Sequence, residues 1–182
     1  MIQPHVTVLF PVPERVGLEH LVTHIQQVLS TWEPFEIRLG GLEKSPDHWL
    51  LLTLREGNDT VKELYRSLYT GILAEFRRDD IEFVPHVGLG LFLKRGATYD
   101  SWNPQESDLD EDEFEGALRE AETWPDAPSS VVDTLHMVGI PDDVMQWLSG
   151  QRPRFPRSAR LDGVRRFRLC VETTRGNSRK QQ

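Results

Sequence analysis

The chain has 182 residues, 38% of them hydrophobic and 27% charged, enough for one compact core. Its longest apolar run, Val87 to Leu93, falls far short of the ~20 residues that cross a bilayer, and the opening residues carry neither a basic nor an apolar targeting segment, which predicts a cytoplasmic protein with no membrane span. The formal charge of −8 excludes a general nucleic-acid coat protein, but it conceals an asymmetry: residues 1–150 carry a net −16 and residues 151–182 a net +8.

In chain order, Val6 to Phe10 reads as a strand and Pro11-Val12-Pro13 as a turn. Leu18, Leu21, Val22, Ile25, Val28 and Leu29 then recur at helical spacing. Pro34 ends that pattern, Phe35, Ile37 and Leu39 alternate as a strand, and His48 to Arg55 reads as its partner. Asn58-Asp59-Thr60 suggests an N-cap for a helix with Val61, Leu64, Leu68, Ile72 and Phe76 on one face, ending near Arg77-Arg78. Phe83 to Leu93 is the next strand, and Gly96 to Gln105 is loop-like. The acidic run Asp108 to Glu115 reads as a solvated face leading into a helix over about 111–124, with Phe114, Leu118 and Ala121 on one side. Val131 to Ile140 and Arg165 to Thr173 are the last two strands, separated by a helical turn at Asp142 to Leu148 and a basic loop at Gln151 to Ser158. The order β-α-β-β-α-β-α-β-β predicts an α+β fold with mainly antiparallel sheets, in one two-lobed domain over residues 1–182 that ends in a basic tail from about 174. The lone Cys170, in the run Phe167 to Val171, reads as packing and cannot form an intramolecular disulfide.

The informative feature is an internal echo. Pro4-His5-Val6-Thr7-Val8-Leu9-Phe10 returns as Pro85-His86-Val87-Gly88-Leu89-Gly90-Leu91-Phe92. Strand alternation puts His5, Thr7 and Leu9 on one face, with Val6, Val8 and Phe10 on the other. It likewise groups His86, Gly88 and Gly90. If the two copies belong to lobes related by a pseudo-twofold axis, both imidazoles point into one cleft. Two imidazoles suit displacement at phosphorus, since one takes a proton from the attacking oxygen while the other gives one to the leaving oxygen. A hydroxyl such as Thr7, or a strand amide, can hold the non-bridging oxygens.

His-Val-Thr-Val at 5–8 and His-Val-Gly-Leu at 86–89 resemble the paired His-x-Thr/Ser-x signature of the 2H phosphoesterase superfamily, in particular its 2′-5′ RNA ligase-like branch. The resemblance extends over HVTVLFPVPE, FVPHVGLGLF and VVDTLHMVGI. It implies a bilobal α+β fold around a central cleft and no cofactor or metal. It also implies opening of 2′,3′-cyclic or related phosphodiesters, or reversible joining of 2′-5′ RNA ends. By the same resemblance His5 and His86 are the catalytic pair, His5 as acid and His86 as base, and Thr7 binds phosphate. Gly88 departs from the pattern, standing where the family carries a second Thr or Ser. Either its amide or another donor holds that oxygen, or the site takes a different substrate.

Tyr99 and Trp102, in the loop after the second motif, are candidates to stack on a base. His20 and His24 have zinc-like i, i+4 spacing but no third ligand and read as solvent-facing; His48 and His136 read as structural. The arginines at 152, 154, 157, 160, 165, 166 and 168 either guide RNA or aid solubility. The leading function is a metal-independent cyclic phosphodiesterase or RNA-end-processing enzyme, a monomer whose partner is a cyclic nucleotide or an RNA end. The alternatives are a non-catalytic RNA- or nucleotide-binding protein of the same fold, and an interaction module that uses the acidic 108–115 segment.

Overall fold

The computed structural model describes residues 5–97, 99, 103–124, 128–141 and 164–172, with 138–141 and 164–172 followed by backbone alone. The Asp142–Leu148 turn, the Gln151–Ser158 loop, the tail from 174, Trp102, and the side chains of Cys170 and of the arginine series lie outside what is described. Strands β1 (His5–Pro13), β2 (Phe35–Lys44), β3 (Trp49–Glu56), β4 (His86–Leu91), β5 (Ser129–Val132), β6 (His136–Pro141) and β7 (Val164–Glu172) alternate with helices α1 (Leu18–Leu29), α2 (Asn58–Leu68) and α3 (Glu111–Glu122). The fold is α+β. Among the described residues every strand pair is antiparallel, in two sheets of order β1-β7-β6 and β4-β3-β2-β5.

Local chemistry sets several boundaries differently from the periodicity. Helix α2 stops at Leu68, where Tyr69 leaves helical geometry with a ψ of 48° and Thr70 is extended, and a 3-10 segment follows at Gly71–Phe76, opened by Gly71 at a positive φ of 52°. Leu73 is then buried and Ile72 45% exposed, the reverse of a continuous helical face. The cap of α2 is Gly57 rather than the Asn58-Asp59-Thr60 stretch. At φ 77° its backbone lies so close to the Glu36 carbonyl and Ile37 that a Cβ would meet them at 2.6 and 2.9 Å. The expected strand 131–140 is two strands, broken at Asp133-Thr134-Leu135, with β5 on β2 and β6 on β7. The acidic run supplies a helix start. Asp110 accepts a hydrogen bond from the Glu113 amide at 3.2 Å, and three acids in the first turn face the positive end of the α3 dipole.

One contiguous core joins both sheets. Val6, Val8 and Leu9 of β1 and Val87 of β4 meet Leu52 and Leu54 of β3 and the buried faces of α1 and α2. A second cluster, Leu50 with Leu109 and Phe114, seats α3. Strands β1 and β4 are each the edge of their own sheet, and they approach each other with Cα atoms within 8 Å.

Candidate functional site

Strand alternation and the core together fix which faces are open. In the first sheet Val6, Leu9 and Met137 turn to the core, leaving His5 and Thr7, both half-buried, and the exposed His136 on the other face. The expected alternation of β1 breaks after Thr7. A bulge places Leu9 one register step beyond Thr7, so Leu9 is fully buried and Phe10 45% exposed. Thr7 pairs with position 170, and position 170 with His136, so Thr7 and His136 share a rung two strands apart.

In the second sheet Leu52 and Val87 pair on the core side, and their neighbours Thr53 opposite His86 and Leu51 opposite Gly88 share the open side. The Thr53 hydroxyl lies against Gly41, where a Cβ would collide with its Oγ1, and Thr53 is only 6% exposed. His86 is half-buried, and its Nδ1–H donates to the Val84 carbonyl at 2.7 Å. That bond selects the tautomer and leaves the Nε2 lone pair as the ring's accepting atom. A bulge at Leu89 ends the alternation beyond Gly88.

Gly88 is exposed, and the indole of Trp49 lies over it. A Cβ at position 88 would stand 3.3 Å from Trp49 Cε3 and Cζ3. Trp49 Nε1–H donates to the Tyr99 hydroxyl at 3.2 Å, and that hydroxyl donates to Asp47 Oδ2 at 2.7 Å. Tyr99, half-buried, thus supports Trp49 edge-on, with ring centroids 6.5 Å apart at 82°. The sequence pointed to Tyr99 and passed over Trp49 and Thr53, because their nearness to His86 depends on which residue of β3 pairs with which of β4.

The remaining histidines divide cleanly. His20 is exposed. His24 instead joins the helices, its Nε2 2.9 Å from the Leu68 carbonyl at the end of α2. His48 is 2% exposed at a φ of 70°, its Nε2 bonded to the Gln105 carbonyl at 2.8 Å. Among the described residues no three His, Cys, Asp or Glu side chains are grouped to hold a metal ion, and no helix is long and apolar enough to cross a membrane.

Two edge strands of like sequence, each opening on a histidine, thus lie side by side. A family model described as the 2′-5′ RNA ligase superfamily matches residues 1–138. The chain belongs to the 2′-5′ RNA ligase superfamily. No curated protein matches it. Members of this superfamily are generally phosphoesterases and ligases that act on RNA or cyclic phosphates, so this 2′-5′ RNA ligase superfamily member is an enzyme of that general kind. The match spans both histidine motifs and ends before β7, the strand that pairs with the first of them.

Proposed function

We propose that the chain is a metal-independent phosphodiesterase that opens 2′,3′-cyclic phosphates on nucleotides or RNA ends, with His5 as general acid and His86 as general base. The observation that carries this reading is the meeting of β1 and β4, each the edge of its sheet and each bearing its histidine on the face turned from the core. The Val84 bond supports the base role, because a ring protonated at Nδ1 accepts at Nε2. His86 Nε2 takes a proton from water as the water oxygen bonds to phosphorus. The bond from phosphorus to one ribose oxygen breaks, and His5 gives its proton to that oxygen. An RNA 5′-hydroxyl in place of water gives 2′-5′ joining by the same steps. Thr7 holds a non-bridging oxygen from one side.

The test is turnover of 2′,3′-cyclic nucleotides and of 2′-5′-linked oligonucleotides with a chelator present. His5→Ala and His86→Ala are expected to lower the rate by about 10²-fold to 10⁴-fold each. The wild-type rate is expected to follow a bell in pH, since one imidazole must carry a proton and the other must not. Near-normal turnover in either histidine variant, or loss of activity on chelation that one divalent ion restores, refutes the mechanism. The glycine at 88 favours a second reading, binding of a nucleotide or RNA without turnover; saturable binding with no product selects it.

A further inference from the structure

We propose that Trp49 forms a nucleobase subsite beside His86, and that Gly88 is glycine to make room for it. The inference rests on the phosphate being held at the two histidines and adds what lies next to it. Position 88 shares the open face with His86, and the indole passes over it with 3.3 Å between Cε3 or Cζ3 and the place of a missing Cβ. Two residues along a strand advance about 6.6 Å, the breadth of the sugar that separates a phosphate from its base.

The ring is fixed in place. Its only polar atom is turned away from Gly88 into the relay Trp49 Nε1–H to Tyr99 hydroxyl to Asp47 carboxylate, with Tyr99 packed edge-on. Trp49 is half-buried, so part of its apolar surface stays open on the face it shares with His86 and Gly88. A rigid, partly exposed aromatic ring beside a phosphate site recognises a flat π-surface, which on a nucleotide is the base. Stacking requires no hydrogen-bond code, so the subsite accepts purines and pyrimidines alike.

The experiment compares the affinities of adenosine 3′-monophosphate and inorganic phosphate by calorimetry, on the full chain and on Trp49→Leu, Trp49→Phe and Tyr99→Phe. Trp49→Leu is expected to weaken nucleotide binding about tenfold while changing phosphate binding less than about twofold, with Trp49→Phe retaining most of the nucleotide affinity. Tyr99→Phe keeps the packing but frees the indole nitrogen, and is expected to give a smaller loss with the same selectivity for nucleotide. Equal loss for both ligands, or no loss for either, overturns the subsite. A wild type that binds the nucleotide more tightly than phosphate but turns over no cyclic phosphate refutes the enzyme reading alone. Equal wild-type affinities refute the subsite alone, and binding of neither refutes both.

Discussion

At position 88 one missing side chain decides between two designs of the site. A hydroxyl there would mirror Thr7 beside His5, but the Trp49 ring already fills the space to within 3.3 Å of a Cβ. Gly88→Ala requires the indole to yield by a few tenths of an ångström, whereas Gly88→Thr adds two further atoms against the same ring. The expected order of turnover on a cyclic nucleotide is therefore wild type, then Ala, then Thr, with the larger effect in KM, and steady-state kinetics on the three proteins reads it. A threonine variant more active than wild type would show that the hydroxyl matters more than the ring. The two histidines were legible in the sequence because a repeated phrase is a local signal, complete within eight residues. Thr53 and Trp49 were not, since a one-residue change in the pairing of β3 with β4 would send both to the opposite face.

Among the elements, β1 owes its shape to a partner outside its own sheet. Its bulges leave the Phe10 amide out of register with β7, and the hydroxyl of Tyr69, just past the end of α2, accepts a hydrogen bond from it at 3.0 Å. Tyr69 is 3% exposed, and burial pushes its hydroxyl up to about 12 from the ordinary 10.0. Tyr69→Phe keeps the ring and strands the amide, an expected loss of about 1–3 kcal/mol in urea denaturation. The pH dependence follows in sign. The unfolded chain releases the phenolic proton from about pH 10, whereas the folded chain holds it to about pH 12. The stability that this hydroxyl confers is thus complete below pH 10 and falls away between those values. The difference in stability between wild type and Tyr69→Phe is expected to shrink over that window. None of this was readable from periodicity, which records burial but not which distant hydroxyl closes a bulge. The early end of α2 was missed for a similar reason: the apolar spacing runs on past Leu68, and only the backbone of Tyr69, Thr70 and Gly71 departs from it.

For the molecule as a whole, the α+β class and the three helices were legible because each helix announces itself within ten or so residues, whereas the expected strand 131–140 hid the break between β5 and β6. The sheet order was not legible. Sequence neighbours β5 and β6 separate into different sheets, and β1 finds β7 rather than β2. Those choices are made by the shared core, in which Val6 and Val87 meet although 80 residues of chain lie between them.

The pairing of His5 with Glu172 in register, and of Val6 with Val171, also sets an order of events in synthesis. The strand bearing the first histidine is made before the strand that pairs with it, by an interval on the order of ten seconds at roughly 5–20 residues per second. Throughout that interval β1 has three valines and Leu9 to bury and no ladder to join, which makes it a sticky edge on a nascent chain. The second histidine strand has β3 already beside it. A chain released after residue 138 would keep every residue of the family match and both histidines, yet have no β7. Such a fragment is expected to bind a hydrophobic dye and to unfold without a sharp transition, and a cooperative melt with wild-type turnover would show that β1 stands without its partner. On the proposed mechanism, competence for chemistry would then act as a proofreading signal, because a chain that stops short of β7 lacks the ladder that seats His5.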